Sequence, residues 1–196
     1  MISQGISPSD ILIFGDSAGG MLAPQIISHA LHSHPAMPSL HLSSPFAGFL
    51  LMSPWVELDC TTPSFDYNHD KDLIDRVCLL SWAEVIREGT KREGRTPESE
   101  RNWLEPAKAP PEWWKGSDAI VRRMMVLYAG REVLKDCIVD FGNRFKEGTS
   151  GQKIEVTLLE DKEAVHIAPV VDALWGREPD DTAKVLSGWV AETLCP

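Results

Sequence analysis

A serine flanked by small residues is the part of this sequence best suited to chemistry. The segment Gly15–Gly20 reads Gly-Asp-Ser-Ala-Gly-Gly and carries the pattern G-x-S-x-G around Ser17. It follows the apolar run Ile11–Phe14, which predicts a buried strand, and it precedes a stretch with helical spacing. In that context the pattern predicts a nucleophile elbow, a strand-to-helix turn that presents the serine hydroxyl and places the Ala18 N–H where an oxyanion would form. The competing interpretation is a helix N-cap serine after a glycine turn.

A serine needs two partners before it becomes a useful nucleophile. A histidine must accept its proton, and a carboxylate must hold that histidine in the right tautomer. With an elbow serine, the acid and then the histidine follow on loops after later strands. His166 meets this condition because it follows the last strand-like run, and we predict it as the general base, with a surface or core histidine near a helix start as the alternative. The five other histidines lie in or just after the first helical stretch or in the long interval after the second strand: His29, His32, His34, His41 and His69.

The acid should follow the strand-like run 124–128, and two carboxylates are candidates. Glu132 lies closer to the strand end, in the expected loop, and is the favoured acid. Asp136 is the alternative acid. It is expected in the first turn of the next helix, where the helix dipole favours a carboxylate without any catalytic role.

The elements that must position these residues alternate along the chain. Strands are predicted at 11–14, 48–52, 124–128 and 154–159, with helices near 18–33, 134–147 and 181–194. This alternation predicts an α/β fold with a parallel sheet and helices on both faces. A chain of 196 residues suits one domain.

The interval 55–118 differs from the rest of the chain. It holds five of the seven tryptophans, one helical stretch near 73–88 and a charged piece, 87–101, that we predict as a solvated loop. An insertion between two sheet strands is expected over the carboxyl ends of the strands, where α/β folds bind ligands. Its aromatic side chains would then line an apolar pocket, although packing on the sheet is the better interpretation for each tryptophan alone.

The composition excludes several classes of protein. Nineteen basic and 29 acidic residues give a net charge of −10, which disfavours binding to nucleic acid or to anionic membranes. No apolar run is long enough for a membrane span, and the absence of signal-peptide features predicts a cytoplasmic location. The four cysteines show no metal-site spacing and are predicted to be free thiols in a reducing compartment, with an occasional disulfide as the alternative.

These motifs together resemble the hormone-sensitive-lipase-like branch of the α/β-hydrolase superfamily, which includes arylacetamide deacetylases and many carboxylesterases. Gly15–Gly20 is similar to its GDSAGG elbow, Ser53-Pro54-Trp55 to its S-P-W segment, and 130–136 to its acid motif, in which the first carboxylate is catalytic. The stretch 103–106 also resembles the family. The resemblance implies a Ser17–His166–Glu132 triad that hydrolyses short-acyl esters of apolar alcohols without a metal or organic cofactor.

The sequence also departs from that family. The family's acid is more often Asp, and its histidine is usually followed by Gly or Val and an aromatic, whereas Ile167-Ala168 follow here. The family's H-G-G-G oxyanion loop is absent, so the resemblance covers the C-terminal half to two-thirds of such an enzyme and implies a truncated, impaired one. The strand before Ser17 is then expected at an open sheet edge, which favours pairing with another chain.

Three other interpretations differ in class. A chymotrypsin-like protease has a similar G-D-S-G-G motif, but its His and Asp precede the serine, and no histidine precedes Ser17. A peptidase of the prolyl-oligopeptidase type would keep the fold. The third is a non-catalytic fragment that binds apolar ligands or another subunit, which would not hydrolyse esters and would not need a triad.

Overall fold

A four-stranded parallel sheet forms the centre of the protein. The computed structural model describes residues 4–195. The strands lie in the order β1-β2-β3-β4, with β1 Leu12–Asp16, β2 Phe46–Met52, β3 Val121–Ala129 and β4 Glu155–Asp161. All three neighbouring pairs are parallel, which confirms the predicted α/β class. The largest difference from the predicted strand ends is in β3, which begins at Val121 rather than at residue 124.

Helices cover both faces of the sheet. The labelled helices are α1 Ser17–His32, α2 Ser64–Tyr67, α3 Arg76–Arg92, α4 Pro97–Leu104, α5 Lys135–Gly148, α6 Ala168–Leu174 and α7 Asp181–Leu194. The larger core packs α1, α5 and the β2–β3 segment against one face. The smaller core packs Leu186 and Trp189 of α7 against Leu50 and Met125 on the other face. These helices bury β2 and most of β3 from both sides, whereas β1 and β4 are mostly half-buried.

The segment between β2 and β3 is more helical than the sequence predicts. The prediction of a solvated loop over 87–101 was wrong, since α3 continues to Arg92 and α4 begins at Pro97. Thr96 and Ser99 form a reciprocal capping box at the start of α4, which stabilises a short helix in a polar sequence. Directly after Ser99 on α4, Glu100 forms a buried hydrogen bond with His34 Nε2. The local charge pattern does not predict this contact, because the partner is 66 positions away in the sequence.

Packing accounts for most of the tryptophans in this segment. Trp114 is fully buried against Phe141 and Phe145 of α5. Trp113 stacks on His32 of α1, and its indole N–H donates a hydrogen bond to Ser28. These rings fix the segment to the larger core.

Strand β1 is the edge of the sheet within residues 4–195. It pairs with β2 alone, and the Ala47 N–H donates to the Ile11 carbonyl at 3.0 Å. Parallel pairing uses alternate residues, so the backbone polar groups of Leu12 and Phe14 point away from β2. The Phe14 side chain is 50% exposed, whereas every residue of β2 is buried.

Two expectations drawn from composition concern thiols and membrane helices. All four cysteines are free, as predicted, and Cys60 and Cys137 are buried. Burial raises the pKa of the Cys60 thiol to about 11, so its nucleophilic thiolate is scarce near neutral pH. Among residues 4–195, none of the helices is long and apolar enough to cross a membrane.

Candidate active site

The turn between β1 and α1 holds Ser17 in a strained backbone conformation. Its φ of +48° lies in the left-handed region, which costs energy for a residue with a side chain. The flanking glycines are needed for close approach, since a Cβ at Gly15 would overlap the Gly19 carbonyl and one at Gly20 would lie 2.6 Å from the Pro54 Cβ. The turn therefore has the geometry of the predicted elbow.

The carboxyl ends of the four strands meet along one rim. Asp16 of β1 pairs with Met52 of β2, and Ala129 of β3 pairs with Asp161 of β4. The loops that follow these paired residues therefore begin side by side. This register brings Ser17 together with two loops that are more than a hundred residues away in sequence.

The three side chains singled out in the sequence form one hydrogen-bonded chain. His166 Nε2 lies 2.9 Å from Ser17 Oγ, and His166 Nδ1 lies 2.9 Å from Glu132 Oε2. Because an ionised carboxylate only accepts, the proton of the neutral imidazole belongs on Nδ1. Nε2 is then free to accept the proton of the serine hydroxyl.

The acid end of this chain is buried completely. Glu132 is fully buried and His166 is 2% exposed. Burial raises the pKa of Glu132, whereas the hydrogen bonds from His166 and from the Ala129 N–H, the latter at 2.7 Å to Oε1, oppose that rise. Each of these contacts fixes the direction in which the carboxylate faces the imidazole.

The alternative acid, Asp136, makes different contacts. It lies in the first turn of α5, as predicted, and its carboxylate accepts from the Ser64 N–H at 2.8 Å and from the Tyr67 hydroxyl at 2.7 Å. Burial together with the Asp136 hydrogen bond raises the pKa of the Tyr67 phenol. Asp136 therefore attaches α2 to the start of α5.

Ala18 lies on the open side of the elbow. The residue is exposed, and within residues 4–195 its N–H donates no hydrogen bond. A free N–H directly after the nucleophile is the donor that an elbow offers to an oxyanion.

Sequence reasoning missed the residues that support two loops: the one that carries the candidate acid Glu132 (the acid loop) and the one that carries His166 (the histidine loop). Ser53 has a φ of +45°, and its hydroxyl accepts from the Ile167 N–H at 3.1 Å. Ile167 itself has a φ of +48°, which is unusual for a β-branched residue. Asn68 and Asp72, from the loop after α2, hydrogen-bond to the backbone of both loops. Only Ser53 had a sequence signal, since it begins the S-P-W segment.

A comparison with family models decides the superfamily. A model described as alpha/beta hydrolase fold matches residues 1–169. The chain belongs to the alpha/beta hydrolase fold family. The family assignment and the fold class predicted from the sequence are thereby confirmed.

Curated relatives of this alpha/beta hydrolase carry related names. An esterase of Acinetobacter venetianus is 35% identical over 91 residues, which are 46% of this chain and 25% of that protein. Human arylacetamide deacetylase-like 3 is 28% identical over 119 residues, which are 55% of this chain and 28% of that protein. The matched segments thus span about a quarter of the length of these relatives.

Solved structures share the fold over almost the whole chain. An esterase/lipase from an uncultured bacterium has a TM-score of 0.70 at 20% identity and covers 100% of this chain and 57% of its own. An esterase from the bacterial hormone-sensitive lipase family has a TM-score of 0.67 at 20% identity, over 98% and 55% respectively. The fold described here therefore corresponds to a little over half of each neighbour.

Proposed function

We propose that this alpha/beta hydrolase is a serine esterase that cleaves carboxylic esters with small acyl groups and apolar alcohols. The observation that carries the proposal is the uninterrupted chain from Ser17 Oγ through His166 to the buried carboxylate of Glu132, with both links at 2.9 Å. Family membership and the name of the Acinetobacter esterase support the choice of esters as the substrate class.

The reaction follows from the positions of these atoms. Ser17 Oγ attacks the ester carbonyl carbon while His166 Nε2 takes the hydroxyl proton, and the Ala18 N–H donates to the resulting oxyanion. Collapse of the tetrahedral intermediate breaks the bond to the alcohol oxygen, which leaves with the proton from Nε2. Water, activated by the same nitrogen, then releases the acid and restores the serine. Glu132 accepts a hydrogen bond from the His166 Nδ1–H and stabilises the imidazolium formed in each half-reaction.

The segment 55–118 completes the proposal as a cap-like insertion. Its loop after α2 contacts the backbone beside both Glu132 and His166, which supports a position next to the reacting groups. The backbone N–H of Trp55, at the start of the segment, donates a hydrogen bond to the Ser17 carbonyl at 2.9 Å. Changes in this segment should therefore alter substrate preference.

An active-site probe and an ester assay test the nucleophile. We expect a fluorophosphonate probe to label the wild-type chain and a nitrophenyl acetate assay to show turnover, with both lost in Ser17→Ala. The matched control is Ser33→Ala, because Ser33 also has a positive φ, of 41°, but lies exposed at the end of α1. Labelling that persists in Ser17→Ala would assign the reactive group elsewhere, and equal turnover in wild type and Ser17→Ala would overturn the esterase proposal.

A further inference from the structure

We infer that Asp72 is a positioning residue that fixes the distance between the acid loop and the histidine loop. One of its carboxylate oxygens, Oδ2, accepts from the Val133 N–H at 2.7 Å. The other, Oδ1, accepts from the His166 N–H at 2.9 Å. The inference rests on the proposed function, because it gives Asp72 its role through Glu132 and His166.

The two N–H groups that Asp72 binds are the ones best placed to control the geometry of the relay, the hydrogen-bonded chain formed by Ser17, His166 and Glu132. Val133 is bonded directly to Glu132, and the second N–H is that of His166 itself. Hydrogen bonds to an ionised carboxylate are shorter and stronger than neutral ones, and a single rigid carboxylate that spans two loops sets their separation. The side chain therefore acts as a bridge between the backbones that carry the acid and the base.

The segment that carries Asp72 binds the acid loop through a second residue as well. Asn68, which is 2% exposed, donates from Nδ2 to the Glu132 carbonyl at 2.9 Å and to the Gly130 carbonyl at 3.2 Å. Asn68 thus binds carbonyl oxygens of the loop, while Asp72 binds an N–H of the same loop. The Leu73 N–H donates to Asp72 Oδ1 at 2.8 Å and orients the carboxylate within its own turn.

The histidine loop is also held by a second segment of the chain. The N–H of Ile167 donates to Ser53 Oγ, one residue beyond the N–H that Asp72 accepts. Two consecutive N–H groups are therefore bound by side chains from two different segments. This arrangement holds the strained backbone at Ile167 and leaves the His166 ring little freedom to move.

Substitution of Asp72 separates this role from a merely structural one. In Asp72→Asn the amide oxygen accepts one of the two N–H groups and the amide nitrogen accepts neither, whereas Asp72→Ala loses both bonds. We expect kcat to fall in the order wild type, Asp72→Asn, Asp72→Ala, with a loss on the order of 10²-fold in the alanine variant and little change in KM. Asp70→Asn is the matched control, since Asp70 is an exposed carboxylate two residues earlier.

A proton NMR measurement tests the positioning without any need for turnover. The Nδ1 proton of His166, shared with Glu132, should give a strongly downfield resonance that is present in wild type, Ser17→Ala and Asp70→Asn. It should weaken in Asp72→Asn and vanish in Asp72→Ala, while circular dichroism shows a folded chain. If the alanine variant does not fold, Asp72→Asn decides alone.

The outcomes distinguish the two proposals. An unchanged resonance in a folded Asp72 variant, or a rise in KM with unchanged kcat, would overturn the positioning role. A wild-type chain that shows the resonance but neither probe labelling nor turnover would contradict the proposed function. The positioning role of Asp72 would then be judged by the NMR comparison between wild type and the Asp72 variants.

Discussion

The two sides of the candidate active site differ in how firmly they are held. On the side of the proposed acid and base (the acid–base side), Glu132 and His166 are buried, and their loops are bound by side chains from the residue after β2 and from the loop after α2. On the side of the proposed nucleophile (the nucleophile side), Ser17 is half-buried and Ala18 is exposed. The strand that carries the serine has only one neighbour in the described sheet.

This difference reflects opposite physical requirements. A buried carboxylate and imidazole lose their water, so each polar atom near them must find a protein partner, and the partners fix the geometry. A nucleophile must instead remain reachable by its substrate. The strained backbone of Ser17 is held by tight packing at the flanking glycines and by the hydrogen bond from the Trp55 backbone N–H to the Ser17 carbonyl.

The largest expected effect comes from breaking the acid–base side. Glu132→Gln should lower kcat by about 10⁴-fold, because an amide cannot hold the imidazole tautomer that accepts from Ser17. Steady-state ester kinetics measure it, with Asp136→Asn as the matched control. A greater loss in Asp136→Asn than in Glu132→Gln would reverse the choice of acid.

Truncation of a side chain in the larger core and of one on the edge strand should differ in their effect on stability. Phe141→Ala removes a fully buried ring that packs on Trp114 and Phe145, and should lower the free energy of unfolding by about 3–5 kcal/mol. Phe14→Ala, on the edge strand, should cost less than about 1 kcal/mol, since half of that ring is already exposed. Urea denaturation of both variants tests this, and equal losses would mean that β1 is as firmly packed as the core.

Backbone strain on the histidine loop predicts an unusual order of substitutions. At most positions alanine is more stable than glycine, but Ile167 has a φ of +48°, which glycine adopts freely. Ile167→Gly should therefore be more stable than Ile167→Ala by about 1 kcal/mol. The two variants lose nearly the same side-chain contacts, so thermal or urea unfolding isolates the strain. The ordinary order, with alanine more stable, would show that no strain is stored there.

The smallest expected change in stability belongs to the edge strand. Within residues 4–195 the outward backbone groups of Leu12 and Phe14 face no other strand, and we propose that they allow this 196-residue chain to self-associate. Phe14→Lys should change the free energy of unfolding by no more than about 0.5 kcal/mol while it lowers self-association. Sedimentation velocity over a range of concentrations measures this, and an unchanged distribution of species would exclude the β1 edge as the contact.

Local patterns in the sequence were enough to predict the sheet and the residues of the relay. Apolar runs and their alternation with helical stretches gave four parallel strands, because a sheet covered on both faces leaves an unmistakable apolar signal. The elbow was predictable because sterics demand small residues within a few positions of Ser17. The candidate roles of Ser17, Glu132 and His166 followed from these positions and remain proposals.

The supporting contacts could not be predicted from the same patterns. Asp72 binds a residue 94 positions away, and the Glu100–His34 pair spans 66 positions. In sequence, polar residues with such partners look like solvated loop residues. The pattern over 87–101 therefore predicts a loop where the structure has the end of α3 and all of α4. The short helix α6 was missed as well, since none of its residues is buried to give a periodic signal.

The two hydrogen bonds of the relay differ in sequence separation, and this difference matters for folding. The Glu132–His166 contact joins residues 34 positions apart, whereas the Ser17–His166 contact joins residues 149 positions apart. By loop-closure entropy alone, the longer link costs about 1.3 kcal/mol more to form. During refolding the acid and base therefore meet at a lower entropic cost than the serine meets either of them. We therefore expect the reactivity proposed for Ser17 to recover late in refolding, after Glu132 and His166 have met.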